Sequence, residues 1–249
     1  MPNKKELVLV TGAASGLGAA CLEYFSSLGA PVLALDLKFN DPSTATVLRI
    51  EADVCDEQAI SQAIESGVKQ FGPLRSAIHC AGILAAAKTV GRHGAHDLAL
   101  FERVIRINLT GTFNVCRLAA KAMSTNSPDE AGQRGVIIMT SSVAAEDGQM
   151  GQAAYAASKG GIASMTLPMA RDLAGLGIRV VSIAPGVFET PMMKAAPEAV
   201  RNSLLSITQF PKRFGEGREF AAFAESIIAN PMLNGSFIRL DGAMRMPAT

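Results

Sequence analysis

Leu7-Val8-Leu9-Val10 runs directly into Thr11-Gly12-Ala13-Ala14-Ser15-Gly16-Leu17-Gly18, and a helical pattern follows from Ala19 to Leu28. A short unbroken apolar run suits a strand buried on both faces, as in a parallel sheet covered by helices on each side. Three glycines between strand and helix allow a tight turn in which backbone can approach a pyrophosphate, whose charge the helix N-terminus stabilises. A glycine pattern alone can also make nothing more than a compact turn. The discriminating residue lies downstream. Asp36 closes a second apolar run, Val32-Leu33-Ala34-Leu35, about 20 residues past the last glycine, where a carboxylate accepts hydrogen bonds from the adenosine ribose. The same charge repels a 2′-phosphate, so the expected cofactor is NAD rather than NADP. Lys38 softens this slightly, and the loop itself carries no Arg or Lys.

The alternation begun here continues along the chain. Strands are expected at 46–50, 74–79, 136–140, 178–184 and 236–240, and helices at 56–71, 98–123 and 217–229 and from near Gln152, the last bent by Pro168. Asp56 is placed to cap the helix that it precedes. No linker or internal repeat interrupts the pattern, so residues 1–249 read as one nucleotide-binding domain. The fold class is α/β, a doubly wound parallel sheet of about seven strands (the Rossmann arrangement) with helices on both faces. Ligands of such sheets sit off the carboxyl ends of the strands. The glycine loop, Asp36, Asp53, Cys80, Ser142 and Pro185 all fall at such ends. Asp53 is a candidate acceptor for the adenine amino group, and Cys80-Ala81-Gly82 is a turn of small residues that lets backbone pass close to a cofactor. His79 is expected to pack under the sheet. Residues 83–96 read as a solvated loop whose Lys88, Arg92, His93 and His96 could meet an anionic substrate group.

The chemistry concentrates between residues 141 and 159. Tyr155 and Lys159 are four apart, and on a helix such side chains share a face. A cation beside a phenol favours the phenolate and lowers its pKa from about 10. Tyr155 is therefore a candidate general base toward an alcohol, or acid toward a ketone. Ser142 sits where a strand ends, with a hydroxyl able to bond the oxygen that changes charge. Asn108 falls in mid-helix, where such a residue faces solvent or disturbs the ladder; here it could hold a water leading to Lys159. The small-residue face Ala154, Ser158, Gly161, Ile162 and Met165 could pack on the sheet or on a second subunit. Past Pro185 a loop leads to an apolar, mobile-looking segment with Met193, Leu204, Leu205, Ile207 and Phe210.

Composition removes several alternatives. The net charge is +1 with no block of like charge, which argues against nucleic acid or an anionic membrane as partner. The four cysteines are widely spaced, with no C-x-x-C and no nearby His pair, so free thiols are expected and no metal site. The first residues pass from two lysines into a strand, without the pattern of a signal peptide or an apolar run near membrane length. A soluble, cytoplasmic protein is expected.

TGAASGLG, Asp36, CAG, Asn108, Ser142 and YAASK, in that order along the whole chain, resemble the short-chain dehydrogenase/reductase family. SVAAEDGQMGQAAYAASKGGI, APGVFETP and NPMLNGSFIRLDGAMRM further resemble the subgroup that oxidises the 3-hydroxyl of acyl-CoA esters with NAD, and in some members alcohols and steroids. The resemblance implies a homotetramer acting on a small-molecule substrate. It implies that Ser142, Tyr155 and Lys159 are catalytic and that Asn108 completes a proton relay. It places Ser15, Leu17, Asp36, Asp53, Val54, Cys80, Phe188 and Thr190 on the cofactor and Gln149 at the substrate pocket. Lys159 would hold the nicotinamide ribose. His79-Cys80 stands where two Asn are commoner in the wider family, which favours the subgroup. A 3-oxoacyl-carrier-protein reductase on the same scaffold is the alternative, and Asp36 argues against its usual NADPH. No compact basic cluster marks a CoA phosphate site; Lys88, Arg92, Lys194 and Arg201 are the available cations.

Overall fold

A computed structural model describes residues 6–92, 94–195 and 197–248; His93, named above as a possible anion contact, lies outside them. Seven parallel strands form one sheet: β1 (Leu7–Thr11), β2 (Val32–Asp36), β3 (Val47–Glu51), β4 (Leu74–His79), β7 (Gly135–Thr140), β8 (Ile178–Pro185) and β9 (Phe237–Leu240). Their spatial order is β3-β2-β1-β4-β7-β8-β9. The order reverses at β1, so a crevice opens above β1 and β4, where such sheets take ligands.

The pleat divides the apolar runs between two cores. Leu7 and Leu9 point to one face, where they meet α2 (Glu57–Phe71), α4 (Gly111–Ser124) and α5 (Ala153–Ala174). Val8 and Val10 point to the other, against α1 (Gly16–Ser27) and α8 (Gly217–Ala229). Phe25 and Phe220 are fully buried there, and each such side chain contributes about 1.5–3 kcal/mol. Asp56 caps α2 by accepting from the Ala59 N–H at 3.0 Å, as its position before the apolar pattern implied.

Three segments depart from expectation. Residues 98–123 are not one α-helix. α3 (Leu98–Ile105) passes into a π-helical turn at Arg106–Thr110 before α4 begins. The extra residue per turn rotates Asn108 inward, where it is fully buried rather than facing solvent. The loop at 83–96 carries a two-residue antiparallel ladder, β5 (Val90–Gly91) with β6 (Gly94–Ala95). The apolar segment beyond Pro191 folds into α6 (Pro191–Lys194) and α7 (Glu198–Ile207), both reaching back over the strand ends. Helix α5 continues through Pro168, and its small-residue face turns inward: Ala154, Ser158 and Ile162 are buried.

Candidate active site

A cleft of about 470 Å³ opens above the carboxyl ends of β1, β2 and β4. Gly12, Ser15, Gly16, Asp36, Asp53, Val54, Cys80, Ala81, Gly82 and Thr190 all line it, ten of the residues expected at a cofactor. Gly12 has φ +66°, and a side chain there would meet the Ala81 nitrogen at 2.8 Å, so the position requires glycine on both counts. Gly18 lies behind the loop, where α1 crosses the Gly12 carbonyl in close contact. Asp36 accepts from the Ala14 N–H at 2.9 Å through one oxygen and from the Leu37 N–H at 2.7 Å through the other. It therefore braces the glycine loop while presenting a negative charge to the cleft. Asp53 accepts from the Cys55 N–H and has Arg106 at 3.9 Å.

The small turn after β4 has a support that local pattern did not reveal. Thr11 Oγ1 accepts from the N–H groups of both Cys80 and Ala81 at 3.2 Å. The same hydroxyl bonds His79 Nδ1 at 2.9 Å. With both lone pairs of that oxygen engaged, the Thr11 proton is left for His79 Nδ1, and the buried His79 Nε2 has no partner among the described residues. Burial, then the nearby Lys159 charge, pushes His79 down to about 3, so it is neutral and structural, as expected.

Past β7 the chain enters a short 3₁₀ turn, Val143–Ala145, whose cap is Ser142, accepting from the Ala144 N–H at 3.1 Å. Its hydroxyl proton remains free to donate. Tyr155 lies in the first turn of α5. Burial raises its phenol above the ordinary value, and the nearby Ser142 hydroxyl partly offsets this. Those two hydroxyls, thirteen residues apart in sequence, are thus brought together. Lys159, one turn on, is buried and donates to the Thr140 carbonyl at 2.8 Å. Ser141 donates to the Lys159 carbonyl at 2.8 Å. These two bonds fasten α5 to the end of β7. The Lys159 ammonium is 5.8 Å from the Tyr155 ring centre and abuts Gly82 of the cleft.

One expectation is corrected. The sequence suggested that Lys159 makes Tyr155 acidic. In this structure burial dominates both groups: it raises Tyr155, and it lowers Lys159 to about 8. The lysine is held on a strand-end carbonyl instead of against the phenol oxygen. Asn108 likewise does not reach Lys159 directly. Its amide donates to the Ile83 carbonyl at 2.9 Å and to Ser158 Oγ at 3.1 Å, and its carbonyl oxygen accepts from the Ile83 N–H at 2.8 Å. Ser158 in turn donates to the Tyr155 carbonyl at 2.7 Å. Asn108 thereby ties the cleft wall to the turn that carries Tyr155.

The remaining expected residues stand apart from the cleft surface. The Phe188 ring packs on Phe220, with ring centres 6.3 Å apart. Leu17 packs on the α1 core, and Pro185 is buried at the end of β8. Gln149 is half-buried in the loop before α5 and pairs with Gln152. Arg103, Ile107, Ile83 and Pro191 line the cleft without having been singled out. Arg201 is committed to Glu189 at 3.1 Å and to the Met193 carbonyl, and so is not a free cation for a CoA phosphate. The four cysteines are unpaired, and no group of three or more His, Cys, Asp or Glu among the described residues could hold a metal. No helix among those residues is long and apolar enough to cross a membrane.

Against known proteins, the sequence profile of the family described as short chain dehydrogenase matches residues 6–201. This chain belongs to the short-chain dehydrogenase family. The membership makes it an oxidoreductase enzyme and implies a nicotinamide cofactor. Among this dehydrogenase's relatives, the 3-hydroxyacyl-CoA dehydrogenase type-2 of Bos taurus is 50% identical over 248 residues, covering 96% of this chain and 95% of the relative. The Homo sapiens protein of the same name is 49% identical over 249 residues, with 96% and 95% covered. The 3-oxoacyl-acyl-carrier-protein reductase of Thermotoga maritima is more distant, 33% identical over 251 residues with 96% and 97% covered. A crystal structure of 3-hydroxyacyl-CoA dehydrogenase type-2 from Mycobacterium avium superposes with a TM-score of 0.94 at 34% identity, covering all of both chains.

Proposed function

We propose that this enzyme removes a hydride from the 3-hydroxyl carbon of a 3-hydroxyacyl-CoA and delivers it to NAD. The observation that carries the reading is Tyr155 beside Lys159, 5.8 Å from ring centre to ammonium, with that ammonium next to Gly82 of the cleft that Asp36 lines. The cleft fits the cofactor on its own terms: Gly12, Ser15 and Gly16 line it where α1 begins, a place that favours a pyrophosphate, and Asp36 lines it where a ribose would lie. When bound, the nicotinamide ring supplies the hydride acceptor.

The chain's own residues do the rest. Ser142 donates its free hydroxyl proton to the substrate oxygen and orients the alcohol. Tyr155 Oη takes the hydroxyl proton of the substrate. Lys159 is positioned to hold the nicotinamide ribose at the Gly82 edge of the cleft. Asn108, through Ser158 and the Tyr155 carbonyl, keeps that turn in register, and with an intervening water would complete a proton path to Lys159. Positioning of this kind supplies about 7–11 kcal/mol of barrier reduction. Gln149 would face the substrate. Exposed Phe113 and Leu167 on α4 and α5 suit a homotetramer, acting in the cytoplasm.

The alternative, reduction of a 3-oxoacyl carrier protein, is carried by the more distant relative and opposed by the Asp36 charge. The test is a panel of 3-hydroxyacyl-CoA esters of increasing length with NAD⁺ and NADP⁺, alongside Y155F. Turnover with NAD⁺, abolished in Y155F while NAD affinity stays near that of the parent, is expected. Near-normal turnover in Y155F, or a preference for NADP⁺ with carrier-protein substrates, would refute it.

A further inference from the structure

Arg239 belongs to β9 and takes no part in the chemistry above, yet it makes the densest polar cluster around the site. Its guanidinium meets Asp241 at 2.7 Å through Nε, Glu146 at 2.6 Å through Nη1 and Asp147 at 2.7 Å through Nη2. Nη2 also donates to the Met244 carbonyl at 2.9 Å. The side chain is 15% exposed, and Arg245 adds a second cation to Asp241 at 3.3 Å. Two arginines and three carboxylates leave the cluster one negative charge in excess.

The partners of this hub identify what it holds. Glu146 and Asp147 begin the loop that runs from the turn capped by Ser142 to the first turn of α5, which carries Tyr155. Gly148 of the loop packs on Ala156, where a side chain would stand 3.1 Å from the Ala156 Cβ. The Met150 N–H donates to the Ala248 carbonyl at 2.9 Å, and the Gly151 carbonyl accepts from the Ala87 N–H at 2.8 Å. Loop 146–152, which leads into the helix turn carrying Tyr155, is thus joined to the tail 242–248 and to the segment at Ala87. None of 146–152 or 239–248 lines the cofactor cleft.

We propose that Arg239 is a positioning residue for the substrate: it binds the C-terminal tail to loop 146–152 and fixes both as the wall on which the acyl chain lies. The inference rests on the hydroxyacyl reading only in the name of the substrate. Only a planar fork can satisfy three carboxylates in three directions; a lysine ammonium satisfies one well. Loss of Arg239 leaves Glu146, Asp147 and Asp241 facing one another with Arg245 alone to offset them. Their repulsion parts tail from loop.

The experiment measures kcat and KM for R239M and R239K with 3-hydroxybutyryl-CoA, or with whichever secondary alcohol the parent oxidises if it does not turn over that ester. NAD affinity is measured by titration. R239M is expected to raise the substrate KM by about tenfold or more, with kcat and NAD affinity within about threefold. R239K should fall between R239M and the parent. Neutralising the orphaned partners, E146Q with D147N in the R239M background, should recover part of the lost KM, which a general loss of stability would not allow. If R239M does not fold, R239K and the E146Q/D147N pair carry the same comparison. Unchanged KM in R239K, or a loss of NAD affinity equal to the loss in KM, overturns the proposal. Failure of the parent on every acyl-CoA tests the proposed function alone and leaves this comparison intact.

Discussion

Gly18 allows a calculation from geometry alone. A Cβ placed there would stand 2.1 Å from the Gly12 carbonyl oxygen, 2.5 Å from its carbon and 2.8 Å from the Thr11 oxygen. Every one of these atoms is backbone, so no side chain can turn aside. Ordinary carbon–oxygen contacts lie at about 3.3–3.6 Å, and G18A must therefore drive α1 and the glycine loop apart by about 1 Å. Overpacking of this kind costs about 1–3 kcal/mol of stability. The displaced atoms are those that cradle the cofactor, and a misplacement of about 1 Å costs on the order of a hundredfold. Gly16 is the internal control. It has φ +55° but meets no protein atom closer than a Thr190 methyl at 3.6 Å, so within the protein G16A carries only the left-handed backbone cost of about 1–2 kcal/mol. The assay is titration of each variant with NADH by fluorescence, with urea unfolding alongside. G18A should weaken binding about a hundredfold and G16A about tenfold or less. Binding by G18A within threefold of the parent, or a larger loss in G16A than in G18A, would refute the reasoning.

Two further expectations concern buried cations. Lys159 sits at about 8 against an ordinary 10.5. Between those values the unfolded chain binds more protons than the native one, so the burden of the buried ammonium is full below pH 8 and fades as pH rises toward 10.5. Relative to K159M, the parent should accordingly gain stability as pH rises from 8 toward 10.5, measured as urea unfolding free energy; a difference independent of pH would contradict it. Arg179 is buried, donating to the carbonyls of Ile227, Ile228 and Leu233 at 2.7–3.0 Å, where α8 ends. R179M strands those acceptors and should lose about 3–5 kcal/mol of stability with NAD affinity unchanged, and a loss under 1 kcal/mol would show that water replaces the guanidinium.

What could be read from the chain is what depends on neighbours in sequence. Apolar runs marked all seven strands to within about two residues because burial on both faces leaves little choice of residue. The glycine loop and Asp36 were legible because backbone approach and ribose recognition both impose a spacing. Contacts made across the fold were not. Arg239 meets Glu146 from 93 positions away, and neither residue announces the other. Thr11 is the residue just before the glycine loop, but its bonds to the 79–81 turn depend on β1 and β4 pairing. Asn108 was noticed, but the π-helical turn that buries it leaves no mark in a periodicity read at ordinary helical spacing. The environment of Tyr155 was hidden for a related reason: spacing shows a lysine nearby, and only the fold shows that Lys159 is buried on the Thr140 carbonyl while Tyr155 is half-buried.

The double engagement of Asp36 has a consequence for any attempt to redirect this enzyme. One oxygen holds the Ala14 amide and the other the Leu37 amide, so the group proposed to reject a phosphorylated ribose is also a strut of the turn beneath it. Neutralising it alone would trade selectivity for a slackened loop. A change of nucleotide preference here has to arrive as a coordinated set, with a replacement acceptor for Ala14 supplied before the charge is withdrawn.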